Sequence, residues 1–354
     1  MSHELAQSFA TGEYRMAYRK RTEADRPWHD SWTKCKFWTQ DPDLPTVLHD
    51  LEAYVDVVTR PIYDKDGFLI EGVNETWRPH CDAMGEPIKD KDDNILGAHL
   101  GIVGPQYTII QDRDVVNWFK PWVDAGLASI ETGGAIFNGA RFWVLAKLNR
   151  DPIEVVSGDE INQYVLAFNG HDGKVSFRAF PTDVRAVCNN TVNIAMKSRW
   201  AKKYRARHSR LVHMKAEDIR EDVESMREVF LGTAEKFKAL AAANVKSEAE
   251  LKAFFQKVLK EKEDPDKEIR ADGKRPLHVL FRLFDEEAQT IKGVKGTWWA
   301  AYNAVTEFTT HLRGRNSDAR LDNMISGLGA ALNDRALELA LDGADGMLAQ
   351  SSTN

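Results

Sequence analysis

A chain of 354 residues with 43% hydrophobic and 29% charged side chains has room for one large domain or two ordinary ones, and its composition excludes a disordered polymer. Its formal net charge of -6 excludes a generic polyanion binder, so any contact with nucleic acid has to come from a local patch. Cys35, Cys81 and Cys188 stand far apart with no CxxC pair, which speaks against a zinc knuckle or a disulfide framework and suits a reducing cytoplasm. With no basic leader before an apolar run and no stretch of about 18 apolar residues, a soluble cytoplasmic protein without membrane contact is expected.

Residues 1–50 are polar and irregular, with Trp28, Trp32, Phe37 and Trp38 as anchors among Pro27, Pro42 and Pro45, as in a segment that wraps over a core. The pattern then turns strand-like. Val55-Asp56-Val57-Val58 leads into Pro61-Ile62-Tyr63, and Asp64-Lys65-Asp66-Gly67 reads as a hairpin turn. Residues 85–97 read as an exposed loop and 100–103 as a short strand. Gln111-Asp112 opens a helix through Val115, Val116, Trp118 and Phe119, with Asp112 as its N-cap. Residues 128–132 and 142–146 are β-prone runs on either side of Asn138-Gly139, a strong hairpin signal. Residues 164–168 and 175–180 give two more strands around the turn Asn169-Gly170-His171-Asp172-Gly173.

After about residue 184 the sequence predicts helix. Asn189, Asn190 and Thr191 read as an N-cap, 216–260 has helical spacing with Glu217, Asp218, Glu221 and Asp222 early, and 298–341 is a last helical block interrupted near Gly314. The expected fold class is α+β, with an antiparallel, strand-rich, hairpin-containing N-terminal half and a helical C-terminal half. The expected regions are an irregular segment over 1–50, an α+β core with a basic helix over 51–215, and a helical region over 216–354 with a charged linker at about 261–276.

The densest chemical signal lies at 197–215, where Lys197, Arg199, Lys202, Lys203, Arg205, Arg207, Arg210 and Lys215 occur without an acidic residue. Trp200, Tyr204, His208 and His213 are interleaved. Closely held cations gain affinity for phosphates by counterion release, and aromatic faces stack unpaired bases. The competing reading is a solvated helix face whose arginines pair with the acidic run that follows. Cys188 reads as a small buried hydrophobe rather than a nucleophile. Asn169, His171 and Asp172 could ligate a metal, with His29 near, but turn geometry accounts for Asn, Asp and Gly unaided. P-loop, GxSxG, HExxH and GxGxxG motifs are absent, so no catalytic residue, metal or cofactor is assigned.

Several segments resemble phage/plasmid-like proteins carrying the domain of unknown function numbered 932. They are Met1-Ser2-His3-Glu4-Leu5, Pro27-Trp28-His29, residues 100–107 with Gln111, Gly133-Gly134, the 169–173 turn, Arg185 with Val187-Cys188-Asn189-Asn190-Thr191, and residues 296–307. Where that family follows Pro-Trp-His with Gly-Leu-Gly, this chain has Asp30-Ser31-Trp32, which removes the flexibility of that turn. The resemblance implies residence in mobile genomes and leaves the activity open.

Hairpins followed by a basic segment are also similar in layout to phage single-strand annealing proteins, which hold single strands in a basic groove as rings or filaments. The reading is therefore a DNA-binding recombination accessory, possible as a homo-oligomer. Phosphate contacts are expected from Arg185, Lys197, Arg199, Lys202, Lys203, Arg205 and Arg207, with stacking by Trp200 and Tyr204. The alternatives are a factor that docks a host or phage protein on its acidic helical half, and a metal-dependent enzyme using His171, Asp172 and His29.

Overall fold

The computed structural model describes residues 5–7, 14–16, 36–37, 41–82, 85–185, 191–194, 205–206, 208, 219–260, 276–287, 291–314, 317–325 and 327–346. The first strands, β1 (Leu5–Gln7) and β2 (Tyr14–Met16), pair with each other, and β3 (Lys36–Phe37) joins the main sheet. Helix α1 (Leu44–Asp50) follows, capped by Asp43, which accepts from the Thr46 amide at 2.8 Å. The segment read as irregular therefore contributes regular elements, and α1 sends Val47 into the core.

Strands β4 (Val58–Tyr63), β5 (Leu69–Pro79) and β6 (Gly97–Val103) form a separate antiparallel arm. Residues 80–82 and 85–96 extend the arm through the bridges Cys81–Pro87 and Lys89–Ile95 rather than forming a bare loop. The base of the arm is seated on the main body. Thr76 Oγ1 donates to the His171 carbonyl at 2.7 Å, and a Cβ on Gly101 would stand 2.6 Å from the Asp172 backbone. Gly101→Ala is therefore expected to destabilise the protein by about 1–3 kcal/mol, the usual cost of forcing extra volume into a packed contact; urea denaturation would measure it.

Helix α2 (Asp112–Trp118) begins one residue earlier in its cap than expected: Gln111, not Asp112, is the N-cap. The Gln111 amide N–H donates to Asp114 Oδ2 at 2.9 Å, while its side chain pairs with both backbone groups of Val57. Asp112 is thereby freed to face inward. After α3 (Lys120–Asp124) come β7 (Ala128–Ile136), β8 (Arg141–Leu148), β9 (Ile153–Val156), β10 (Asp159–Gly170) and β11 (Phe177–Arg185). Every residue of β10 from Tyr164 to Gly170 is buried, so both sides of the sheet centre are covered, and the unbroken run Tyr-Val-Leu-Ala-Phe meets that demand.

Two further strands replace the helix expected after 184: β12 (Thr191–Ile194) and β13 (Arg205–Ala206), both antiparallel to β11. The main sheet runs β12-β11-β10-β8-β7-β3, with β13 also on β11 and β9 on β10. Thr191 thus opens a strand rather than capping a helix.

Helix α4 (Ile219–Ala242) is separated from α5 (Glu248–Leu259) by a break after which Ser247 caps α5, its hydroxyl oxygen accepting from the Glu250 amide at 3.2 Å. Then come α6 (Pro276–Glu287), α7 (Trp298–Glu307), a π-helical turn (Phe308–Leu312), α8 (Ser317–Ile325) and α9 (Leu328–Ala344). All ten residues of α7 are buried, and Trp298, Trp299 and Tyr302 centre a second core with Phe237, Phe254 and Leu280. The linker expected up to Pro276 falls on 261–275, outside the described residues. No described helix is long and apolar enough to cross a membrane.

Candidate nucleic-acid interface

Strand β11 pairs on its outer side with the strand that precedes the basic stretch and with one inside it. Thr182 to Val184 pair with β12, while Phe177 and Arg178 pair with Ala206 and Arg205 of β13. Lys197, Arg199, Trp200, Lys202, Lys203, Tyr204 and Arg207 lie outside the described residues, as do Glu217 and Asp218 of the competing pairing. Arg205 is described, and it is exposed.

Its register partner, Arg178, is a residue that the sequence reading missed. The two guanidinium groups sit on directly opposed positions, and the Nε of each faces Ser176 Oγ, at 3.4 Å from Arg178 and 3.3 Å from Arg205. Burial, and then the neighbouring Arg205 charge, push the Arg178 pKa down. Among the described residues no carboxylate pairs with either group. Lys174, exposed in the preceding turn, adds a third cation two residues before Ser176. No local pattern announces this cluster, because opposed positions on β11 and β13 lie 27 residues apart in sequence.

Arg185 behaves in the opposite way, and the expected phosphate contact is corrected. Its side chain is fully buried, with Nε and a terminal nitrogen donating to Asp159 at 2.7 and 2.6 Å. Trp299 Nε1 donates to the same carboxylate at 2.8 Å. A forked pair closed inside the protein has no face to offer a strand outside it.

His208, three residues beyond Arg205, is held against the loop before α2. Its ring stacks on Tyr107 with centroids 4.7 Å apart, and Nδ1 donates to the Thr108 carbonyl at 3.1 Å. Tyr107 in turn donates to the Gly170 carbonyl at 3.0 Å, and burial, then the Asp172 charge, raise its pKa. Burial, followed by the nearby His171, pushes the His208 pKa down from 6.5 to about 4. Between those values the unfolded chain binds the proton more readily than the folded one, so stability is full above pH 6.5 and declines toward pH 4. Melting curves across that window should flatten in His208→Phe.

The 169–173 turn faces inward. His171 Nε2 lies 2.7 Å from Asp112 Oδ1, with both side chains fully buried, and Arg78 stands 3.7 Å from the other Asp112 oxygen. Asn169 donates to the Ile110 carbonyl at 2.9 Å, and Asp172 accepts from Arg141 at 3.1 Å. This is a network that ties loops together, and His29, the remaining member of the metal reading, lies outside the described residues. A cavity of about 350 Å³ beside Arg78 is lined by His80 and Cys81, whose thiol is pushed up by burial and so disfavoured as a nucleophile.

A family model described as a domain of unknown function (DUF932) matches residues 99–332. The chain belongs to that family. The matched region begins in β6 and ends in α9, so it contains the β11 edge, the His171 turn and Arg205, while β4 and β5 of the arm precede it. No curated protein and no solved structure matches the chain.

Proposed function

We propose that this chain binds nucleic acid, single-stranded DNA foremost, along the outer edge of its main sheet, as a non-hydrolytic recombination or annealing accessory of a phage or plasmid, working as a homo-oligomer. The observation that carries the reading is the Arg178–Arg205 pair. Like charges placed directly opposite each other on neighbouring strands are destabilising. Two such groups held together with no carboxylate between them among the described residues are prepared for an anion from outside. A backbone phosphate between them would accept charge-assisted hydrogen bonds from both and remove the repulsion. Lys174 extends the same footprint. Phosphate contacts fix position without reading sequence, so binding is expected to be sequence-tolerant.

The test is a gel-shift titration with labelled single-stranded oligonucleotides at rising salt. Binding that weakens steeply between 50 and 200 mM salt supports the reading, as counterion release requires. A chain that shifts no oligonucleotide at low salt overturns it.

A second reading, a protein-docking factor without nucleic-acid contact, is favoured by the arm rather than by the C-terminal half. Tyr63, Phe68, Leu69 and Ile102 are more than half exposed there, an unusual concentration of large apolar side chains. Replacing Phe68 and Leu69 by serine separates the two readings: a docking factor loses its partner, whereas a nucleic-acid binder keeps its oligonucleotide.

A further inference from the structure

Phe137 is exposed to 39% of its surface and lies in the turn between β7 and β8 at a φ of +53°, followed by Asn138 at +57°. Hairpin turns with both central residues at positive φ favour Asn and Gly, and a bulky aromatic there is a true outlier. The sequence even supplies Gly139 two positions later, so the strained position holds a phenyl ring next to residues that would relax it. Strain of this kind persists only when surroundings enforce it, and it gathers at ligand clamps. The surroundings here are specific. The Phe137 amide donates to Asp318 at 2.8 Å, and the Arg141 guanidinium lies 5.6 Å from the ring centre.

The antiparallel register of β8 with β10 and of β10 with β11 puts the 137–140 and 171–176 turns at one end of the sheet. Two contacts join these turns: the His171 amide donates to the Ala140 carbonyl at 2.8 Å, and Arg141 donates to Asp172. Lys174, Ser176, Arg178 and Arg205 continue from there along the edge of the sheet. A partly exposed aromatic ring and two arginines with no carboxylate partner among the described residues therefore share one end of the sheet.

We infer that Phe137 is a base-stacking platform for the strand whose phosphates lie on Arg178 and Arg205, an inference that rests on the single-strand-binding reading above. The Asp318 contact holds the ring in this turn at a backbone conformation that Gly or Asn would adopt with less strain. Any base can stack on a phenyl face, so the contact adds affinity without sequence preference.

The experiment compares an oligothymidine with an abasic oligonucleotide of equal phosphate number, each labelled and titrated by fluorescence anisotropy. Wild-type protein should bind the base-bearing strand more tightly than the abasic one. Phe137→Leu keeps the backbone geometry and Phe137→Gly relaxes it. Both should lose roughly 5- to 100-fold on the base-bearing strand and nothing on the abasic one. Phe137→Trp should restore the difference. Phe137→Gly should also melt no lower than wild type, because the left-handed position is then unstrained. If wild type and Phe137→Leu bind both strands equally, the platform is overturned while phosphate binding stands. If wild type binds neither strand, it is the single-strand reading that fails.

Discussion

Reversing both charges in Arg178→Glu/Arg205→Glu is expected to lower affinity for single-stranded DNA by more than about tenfold near 100 mM salt and to reduce the salt dependence itself. Each phosphate neutralised on a single strand contributes a slope of roughly 0.7 to the logarithm of affinity against the logarithm of salt, so losing two contacts should flatten it by about 1.4. The paired control separates binding from folding. Because the two guanidinium groups oppose each other across β11 and β13, Arg205→Ser alone removes a repulsion and is expected to leave stability unchanged or raise it by up to about 1 kcal/mol. A variant that gains stability and loses DNA marks a charge retained for a ligand. If Arg205→Ser instead unfolds the protein, the pair is structural and the interface must lie elsewhere. Anisotropy titrations at several salt concentrations, with a urea melt of each variant, read both quantities.

The sheet centre was legible in the sequence because its signals are local. Asn138-Gly139 between two β-prone runs marks the β7–β8 turn, although the two non-glycine left-handed residues are Phe137 and Asn138. The apolar run 164–168 reads directly as a covered strand. The two strands after residue 184 were not legible, since Thr191–Ile194 and Arg205–Ala206 are short and owe their conformation to pairing with β11 rather than to their own composition. Helix α6 did leave a signal, with Val279, Leu280 and Leu283 buried at helical spacing just beyond Pro276. The candidate site divides along the same line. A run of cations is visible in one dimension, but whether a cation is neutralised depends on partners that only the fold supplies. Arg185 was expected among the phosphate contacts and is closed on Asp159, whereas Arg178, not expected there, is the register partner of Arg205.

That Arg185–Asp159 contact sets up a large stability effect. Both side chains are fully buried, Asp159 at the start of β10 accepts from Arg185 on β11 and from Trp299 on α7, and the guanidinium lies 5.7 Å from the Trp299 ring centre. Sheet and helical core meet at this carboxylate. Asp159→Asn removes the buried charge that Arg185 and Trp299 share and is expected to cost about 3–5 kcal/mol, read as a lowered urea midpoint. Arg185→Met strands the Asp159 carboxylate with a single indole donor and should cost a similar amount. The pair as a whole is a different matter, because desolvating two ions offsets much of their attraction. Asp159→Leu/Arg185→Met should therefore recover a large part of the loss, and a double-mutant cycle isolates the coupling. DNA binding gives the functional half of the test: with Arg185 enclosed, the double variant should hold single-stranded DNA as wild type does at any urea concentration where both are folded. A selective loss of DNA affinity in that variant would return Arg185 to the interface.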